Sequence, residues 1–209
     1  MGKKLLLIGG GGHCHSVLDS ILTMDLYDEI GIVDNISSSY LGVSVVGCDD
    51  DISELIKNGW TDAFITVGSI GDTGGRRRLY EMIKRMGLIV PTIIDPTSTI
   101  GKNVKIEEGV FVEKRAVINT GSSIGVCAII NTGAIVEHDC KIGTFSHISP
   151  GTILCGQVKV GEDSHVGAGS VVKQIVEIGN KVIIGAGSVV VSNVPDNVKA
   201  FGNPCRVVD

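Results

Sequence analysis

Aromatic side chains make up only 4% of these 209 residues, and the chain has no long apolar run, no paired-cysteine motif and no basic block beyond one arginine triplet. Each absence removes a class of protein. The apolar run that follows Lys3 and Lys4 extends only from Leu5 to Ile8 before four glycines begin. It is too short for a signal-peptide core or a membrane span, so the expected location is cytoplasmic. The six cysteines (Cys14, Cys48, Cys127, Cys140, Cys155 and Cys205) form no CxxC pair and no zinc-type spacing. Reduced thiols in a bacterial-type cytosol fit this pattern better than a disulfide framework or a structural metal. With 18 basic against 23 acidic residues the net charge is −5. The triplet Arg76-Arg77-Arg78 then reads as a solvated helix face rather than a nucleic-acid patch.

What is present divides into two patterns. Up to "VPTIIDPTSTIG", strands alternate with helices. "KKLLLI", "EIGIVDN", "GVSVVG" and "DAFITVG" read as strands, and "HCHSVLDSILTM", Asp50–Lys57 and Thr73–Met86 as helices. Such alternation predicts a parallel sheet of Rossmann type. Downstream, an aliphatic residue stands at every sixth position from Ile94 to Val190, seventeen in succession. Four residues after each comes a small residue or Val, as at Ser98, Val104, Val110, Ala116, Ser122, Ala128, Ala134 and Cys140. A period of six is neither helical nor simple strand, and it is the mark of a hexapeptide β-helix. Three short strands would make one triangular coil, with the aliphatic side chains stacked inside and the small residues where the corners tighten. Such a core needs no aromatics. Gly101, Gly125, Gly143, Gly161, Gly167, Gly179 and Gly185 are expected to supply turn angles that a β-carbon resists. The expected domains are therefore residues 1–92 and 93–209.

"LLLIGGGGHCHSVL" combines a strand, a glycine-rich turn and a helix start, so backbone N–H groups can face an anion. The dinucleotide fingerprint is only partly met, because Cys14 stands where a third Gly belongs. The second strand ends in Asp34, the place of a ribose-binding acid. With roughly 90 residues before the repeats, one mononucleotide half is present rather than two, which disfavours NAD. His13 and His15 read as helix-start residues, not as a metal pair, and no metal is expected. Cys14, beside the loop, is expected to react with alkylating reagents, whereas Cys140, at an inward small-residue position, is expected to resist them.

The loop "GGGGH", a second strand ending in Asp, a "TVG" strand end and the β-helix segment "EHDCKIGTFSHISPG" together resemble the NeuD/PglD-like bacterial sugar acetyltransferases. That family includes UDP-4-amino-sugar N-acetyltransferases and sialic acid O-acetyltransferases. The resemblance implies an α/β Rossmann-like half domain followed by an all-β left-handed parallel β-helix, threefold trimers, acetyl-CoA as cosubstrate and a nucleotide-sugar on the N-terminal domain. Carried onto this sequence, it makes Gly11, Gly12 and His13 contacts to phosphate or uracil, and Asp34, Asn35 and Gly68 the lining of the base and ribose pocket. His138 becomes the general base and Asp139 its carboxylate partner, with Glu137 as the alternative, and Asn131 matches an active-site Asn. His147, Ala168 and Ala186 match cofactor contacts, and Arg206 in "FGNPCRVVD" is placed to meet a CoA phosphate. Cys14 and Cys205 depart from the family's usual Gly and Ala. O-acetylation of a sialic acid stays open beside N-acetylation, as does a non-enzymatic sugar-nucleotide-binding scaffold.

Overall fold

The computed structural model describes residues 2–35 and 39–208. It divides into two compact units: one takes in the chain up to Ser69 together with Gly74–Ile93, the other Ile70–Thr73 and the chain from Ile94 onward.

In the first unit, β1 (Lys4–Ile8), β2 (Glu29–Val33), β3 (Val45–Gly47) and β4 (Asp62–Ile65) form a sheet in the order β3-β2-β1-β4. All three neighbouring pairs run parallel. Leu5, Leu6 and Leu7 are wholly buried, as expected of a strand covered on both faces. The helices are α1 (Gly12–Met24), α2 (Ile52–Lys57) and α3 (Gly74–Arg85). On α3 the solvated-face expectation fails at Arg76, which is only 2% exposed. Consecutive helical residues are about 100° apart, so three in a row cannot share one face.

The second unit contains seventeen two-residue strands, from Ile93–Ile94 to Val189–Val190, each ending on one of the six-spaced aliphatics. They stack in parallel into three faces. One face presents Lys105, Ser123, Lys141, Lys159 and Glu177 outward, a lysine face. A second presents Phe111, Ile129, His147, His165 and Ile183, a histidine face that continues into Lys199–Gly202 and Cys205–Val208. The third presents Thr99, Val117, Ile135, Ile153, Val171 and Val189, an aliphatic face. Inside, Val112, Ile130, Ile148, Val166 and Ile184 are 0% exposed. Burying each contributes roughly 1.5–3 kcal/mol. Ile100, in the first coil, is 36% exposed. The serines inside are satisfied coil to coil: Ser146 Oγ donates to Gly161 O (2.6 Å) and Ser164 Oγ to Gly179 O (2.7 Å). The fold is a left-handed parallel β-helix.

The expected role of the turn glycines needs correction. None of Gly101, Gly125, Gly143, Gly161, Gly167, Gly179 and Gly185 has a positive φ. They supply space instead: a Cβ on Gly143 would lie 2.6 Å from Glu162 N, and one on Gly167 2.5 Å from Ala186 N. The left-handed residue of each turn is a different one, recurring every six residues from Asn103 to Gly187 and filled by Gly at only some turns.

Candidate active site

The first group of candidate residues gathers where β1, β2 and β4 end. Asp34 accepts a hydrogen bond from the Gly10 N–H at 2.6 Å, tying the end of β2 to the glycine loop. Gly9 is needed for its φ of +107°, and a Cβ there would meet Val67 at 2.7 Å. Gly11 and Gly12 have no such need, since a Cβ on either meets nothing within 4 Å. Their bare backbone opens the N-terminus of α1, whose first N–H groups have no partner within the helix. His13 follows them, and a Cβ on Gly68 would lie 3.6 Å from the His13 Cβ. Asn35 and Gly68 are exposed at the same strand ends. Gly11, Gly12, His13, Asp34, Asn35 and Gly68 thus share the carboxyl edge of one parallel sheet. His15 does not join them in a polar contact; its ring stacks on Tyr40 at 3.5 Å.

The second group lies on the turn that follows the aliphatic strand Ile135–Val136. His138 and Asp139 point outward, half exposed, with His138 Nδ1 at 2.9 Å from Asp139 Oδ2. A carboxylate only accepts, so in the neutral ring Nδ1 carries the proton and Nε2 keeps its lone pair. Glu137, the other carboxylate open from sequence, is engaged elsewhere, accepting from Asn119 Nδ2 at 3.0 Å. Asp139 is itself a left-handed residue, with φ of +59°. Two glycines one coil away make room for the pair. A Cβ on Gly121 would lie 2.4 Å from Asp139 Oδ1, and one on Gly156 2.5 Å from His138 Nε2. Nε2 faces a hollow of about 210 Å³ lined by Gly156, Gln157, Gln174 and Ile175. The eighteen-residue offset was the signal that finds Gly121 and Gly156 in the sequence.

Asn131 is not beside His138. Its Nδ2 donates to His147 Nε2 at 3.0 Å, while its Oδ1 accepts the Thr132 N–H at 2.7 Å. The second bond fixes which end of the amide faces the ring, so His147 Nε2 accepts and its proton sits on Nδ1. His147 meets His165 edge-on, centroids 4.9 Å apart. His165 is 8% exposed, lies 3.2 Å from Ser149 Oγ through Nε2, and burial pushes its pKa down. These rings floor an apolar groove of about 400 Å³ that also includes Ile70, Ala168, Ile183 and Ala186. Three candidate cofactor contacts, His147, Ala168 and Ala186, therefore share one groove. Arg206 does not line it; it is exposed on Cys205–Val208, the last strand of the same face. His165 was missed from sequence because an imidazole on an outward strand position is ordinary until its neighbours are known. Cys14 reverses its expectation: it is wholly buried, and burial pushes its thiol pKa up.

An exposed imidazole oriented by a carboxylate, on a left-handed β-helix preceded by a mononucleotide-binding half sheet, defines a group-transfer enzyme of the hexapeptide acyltransferase class. Residues 4–83 match the PglD N-terminal domain and residues 89–166 the GMPPB C-terminal domain. Perosamine N-acetyltransferase from Caulobacter crescentus, solved with CoA and GDP-perosamine, is 37% identical over 99% of this chain and 97% of its own, with a TM-score of 0.93. The same enzyme has been solved with one histidine replaced by alanine or asparagine. The acetyltransferase domain of PglB from Neisseria gonorrhoeae, solved with acetyl coenzyme A, is 32% identical over 100% of both chains, with a TM-score of 0.91. The chain belongs to the NeuD/PglD-like family of sugar acetyltransferases.

Proposed function

We propose that the protein transfers the acetyl group of acetyl-CoA to the amino group of a nucleotide-linked amino sugar, with His138 as general base. The observation that carries this reading is the His138–Asp139 pair, with Nε2 open to a hollow between coils. Acetyl-CoA supplies an activated acyl carbon. His138 Nε2 takes the proton that the sugar amine loses on attacking it, and Asp139 holds the ring's tautomer and balances the charge that the ring then acquires. The departing CoA thiolate takes that proton from the ring and leaves as the free thiol, so the base is regenerated. The nucleotide part of the acceptor is assigned to the open backbone of Gly11 and Gly12, with His13, Asp34, Asn35 and Gly68 around it. The acyl carrier's apolar arm is assigned to the groove with His147, Ala168 and Ala186, and Arg206 to its phosphates. We place the enzyme in the cytoplasm. Among the described residues no helix is long and apolar enough to cross a membrane.

We also propose a homotrimer, packed through the aliphatic face. Val117, Ile135, Ile153, Val171 and Val189 form a column of β-branched side chains, each only partly buried, on successive coils. The turn with Ala168 leads into that face and the turn with His138 leads out of it. In one chain the acyl-carrier groove and the base therefore stand at opposite edges of a face. Threefold packing brings one chain's groove beside its neighbour's base. The test is thiol release from acetyl-CoA against a panel of UDP-, GDP- and CMP-linked amino sugars and free sialic acid. Turnover with an amino sugar is expected; turnover with sialic acid alone would replace N-acetylation with O-acetylation.

A further inference from the structure

Ile70 belongs to neither expected signature. It lies outside the repeats, yet Ile70–Thr73 groups with the β-helix unit. The segment is pinned there at two points. Thr73 Oγ1 donates to Asp163 Oδ1 at 2.5 Å. Gly71, with φ of +81°, sits so close to the histidine face that a Cβ would lie 2.6 Å from Ile183 Cδ1. Between these anchors and the strand end, Ile70 is held 73% exposed, an apolar side chain that the fold itself does not bury. It is nevertheless a wall of the groove floored by His147 and His165. An exposed isoleucine beside a positive-φ glycine that lies close against Ile183, on a segment tied by a hydroxyl–carboxylate bond, offers the monomer little burial.

We propose that Ile70 is a binding residue for the acyl carrier, closing the groove over its apolar pantetheine arm, and that the Gly71 and Thr73 anchors position it. The inference rests on the assignment of the groove to acetyl-CoA and adds a contact from outside the β-helix repeats. Removing the outer carbons of Ile70, or the hydroxyl that anchors its strap, strips apolar cover from the arm while leaving the adenosine phosphates untouched.

The test uses the full-length protein and two probes, CoA and 3′,5′-ADP, which keeps the nucleotide end of CoA but lacks the arm. Calorimetry on Ile70→Ala and Thr73→Val is expected to give CoA dissociation constants raised about tenfold, the usual worth of a partly buried branched side chain. Binding of 3′,5′-ADP should stay within about twofold of wild type, and the acetyl-CoA KM should rise while kcat at saturation holds. Unchanged CoA affinity in both variants overturns the inference and leaves the acetyltransferase reading standing. Equal loss for CoA and 3′,5′-ADP overturns it too, because a general distortion of the face does not discriminate between the two. A wild-type protein that binds no CoA removes the groove assignment and this inference together.

Discussion

At the scale of single residues, the proposed mechanism gives the chemistry to the pair His138–Asp139 and the positioning of the groove ring to the pair Asn131–His147. His138→Ala is expected to lower kcat by about 10²- to 10⁴-fold, the range for loss of a positioned base. Nucleotide-sugar binding should persist in that variant, because the glycine loop is unaltered; near-normal kcat with the acceptor saturating would reduce His138 to a surface histidine. Asp139→Asn should cost less, since the imidazole remains but an amide can present its N–H₂ to Nδ1 and favour the wrong tautomer. Asn131→Ala should act differently, raising the acetyl-CoA KM as is also expected of His147→Ala, because its amide orients the groove ring and not the base. Thiol labelling gives a second reading. Cys140 is wholly buried with its pKa pushed up to about 11, chiefly by burial, and Cys14 is equally buried. Both should therefore stay unlabelled by a maleimide at neutral pH while the half-buried Cys48 and Cys155 react first. Early labelling of Cys14 would mean that the start of α1 opens in solution.

At the scale of elements, the strands and the inward phase of every coil were legible from sequence because each rests on one periodic property, side-chain size at a six-residue step. The turns were not, because glycine answers two different needs that spacing alone does not separate. Gly143 makes space and Gly133 makes an angle: a Cβ on Gly133 meets nothing within 4 Å, but its φ is +64°. The two should respond differently to side-chain chemistry. Gly133→Ala is expected to cost about 1–2 kcal/mol and Gly133→Asn less, since Asn tolerates the left-handed region. Gly143→Ala and Gly143→Asn should both cost about 1–3 kcal/mol through the backbone shift that the next coil must make. Urea unfolding measures all four; a Gly143→Ala protein more stable than wild type would restore the reading of Gly143 as a simple flexible turn residue. The site shows the same limit. That Asp139 rather than Glu137 reaches His138 depends on the left-handed angle at Asp139 and on the gap at Gly121. Both are properties of neighbouring coils, so adjacency in sequence left the choice open.

At the scale of the whole molecule, one chain carries every candidate group yet separates base from groove by the width of its aliphatic face. Under the proposed mechanism that separation leaves a monomer without a complete site, so activity should depend on assembly. Ile153→Glu, which puts a charge in the middle of the column, should dissociate the assembly in sedimentation experiments and abolish turnover together. Mixed trimers test the shared site more directly. A His138→Ala chain keeps its groove and loses its base. An Ala186→Trp chain keeps its base but fills its groove, because Ala186 is an exposed groove residue with room above it. Each variant alone should be nearly inactive. After dissociation and reassembly at equal amounts, random mixing in a cyclic trimer pairs an intact groove with an intact neighbouring base at roughly a quarter of the interfaces. Activity should then return to about that fraction of wild type. If base and groove were used within one chain, no mixed trimer would contain a complete site, and the mixture would stay as inactive as its parts.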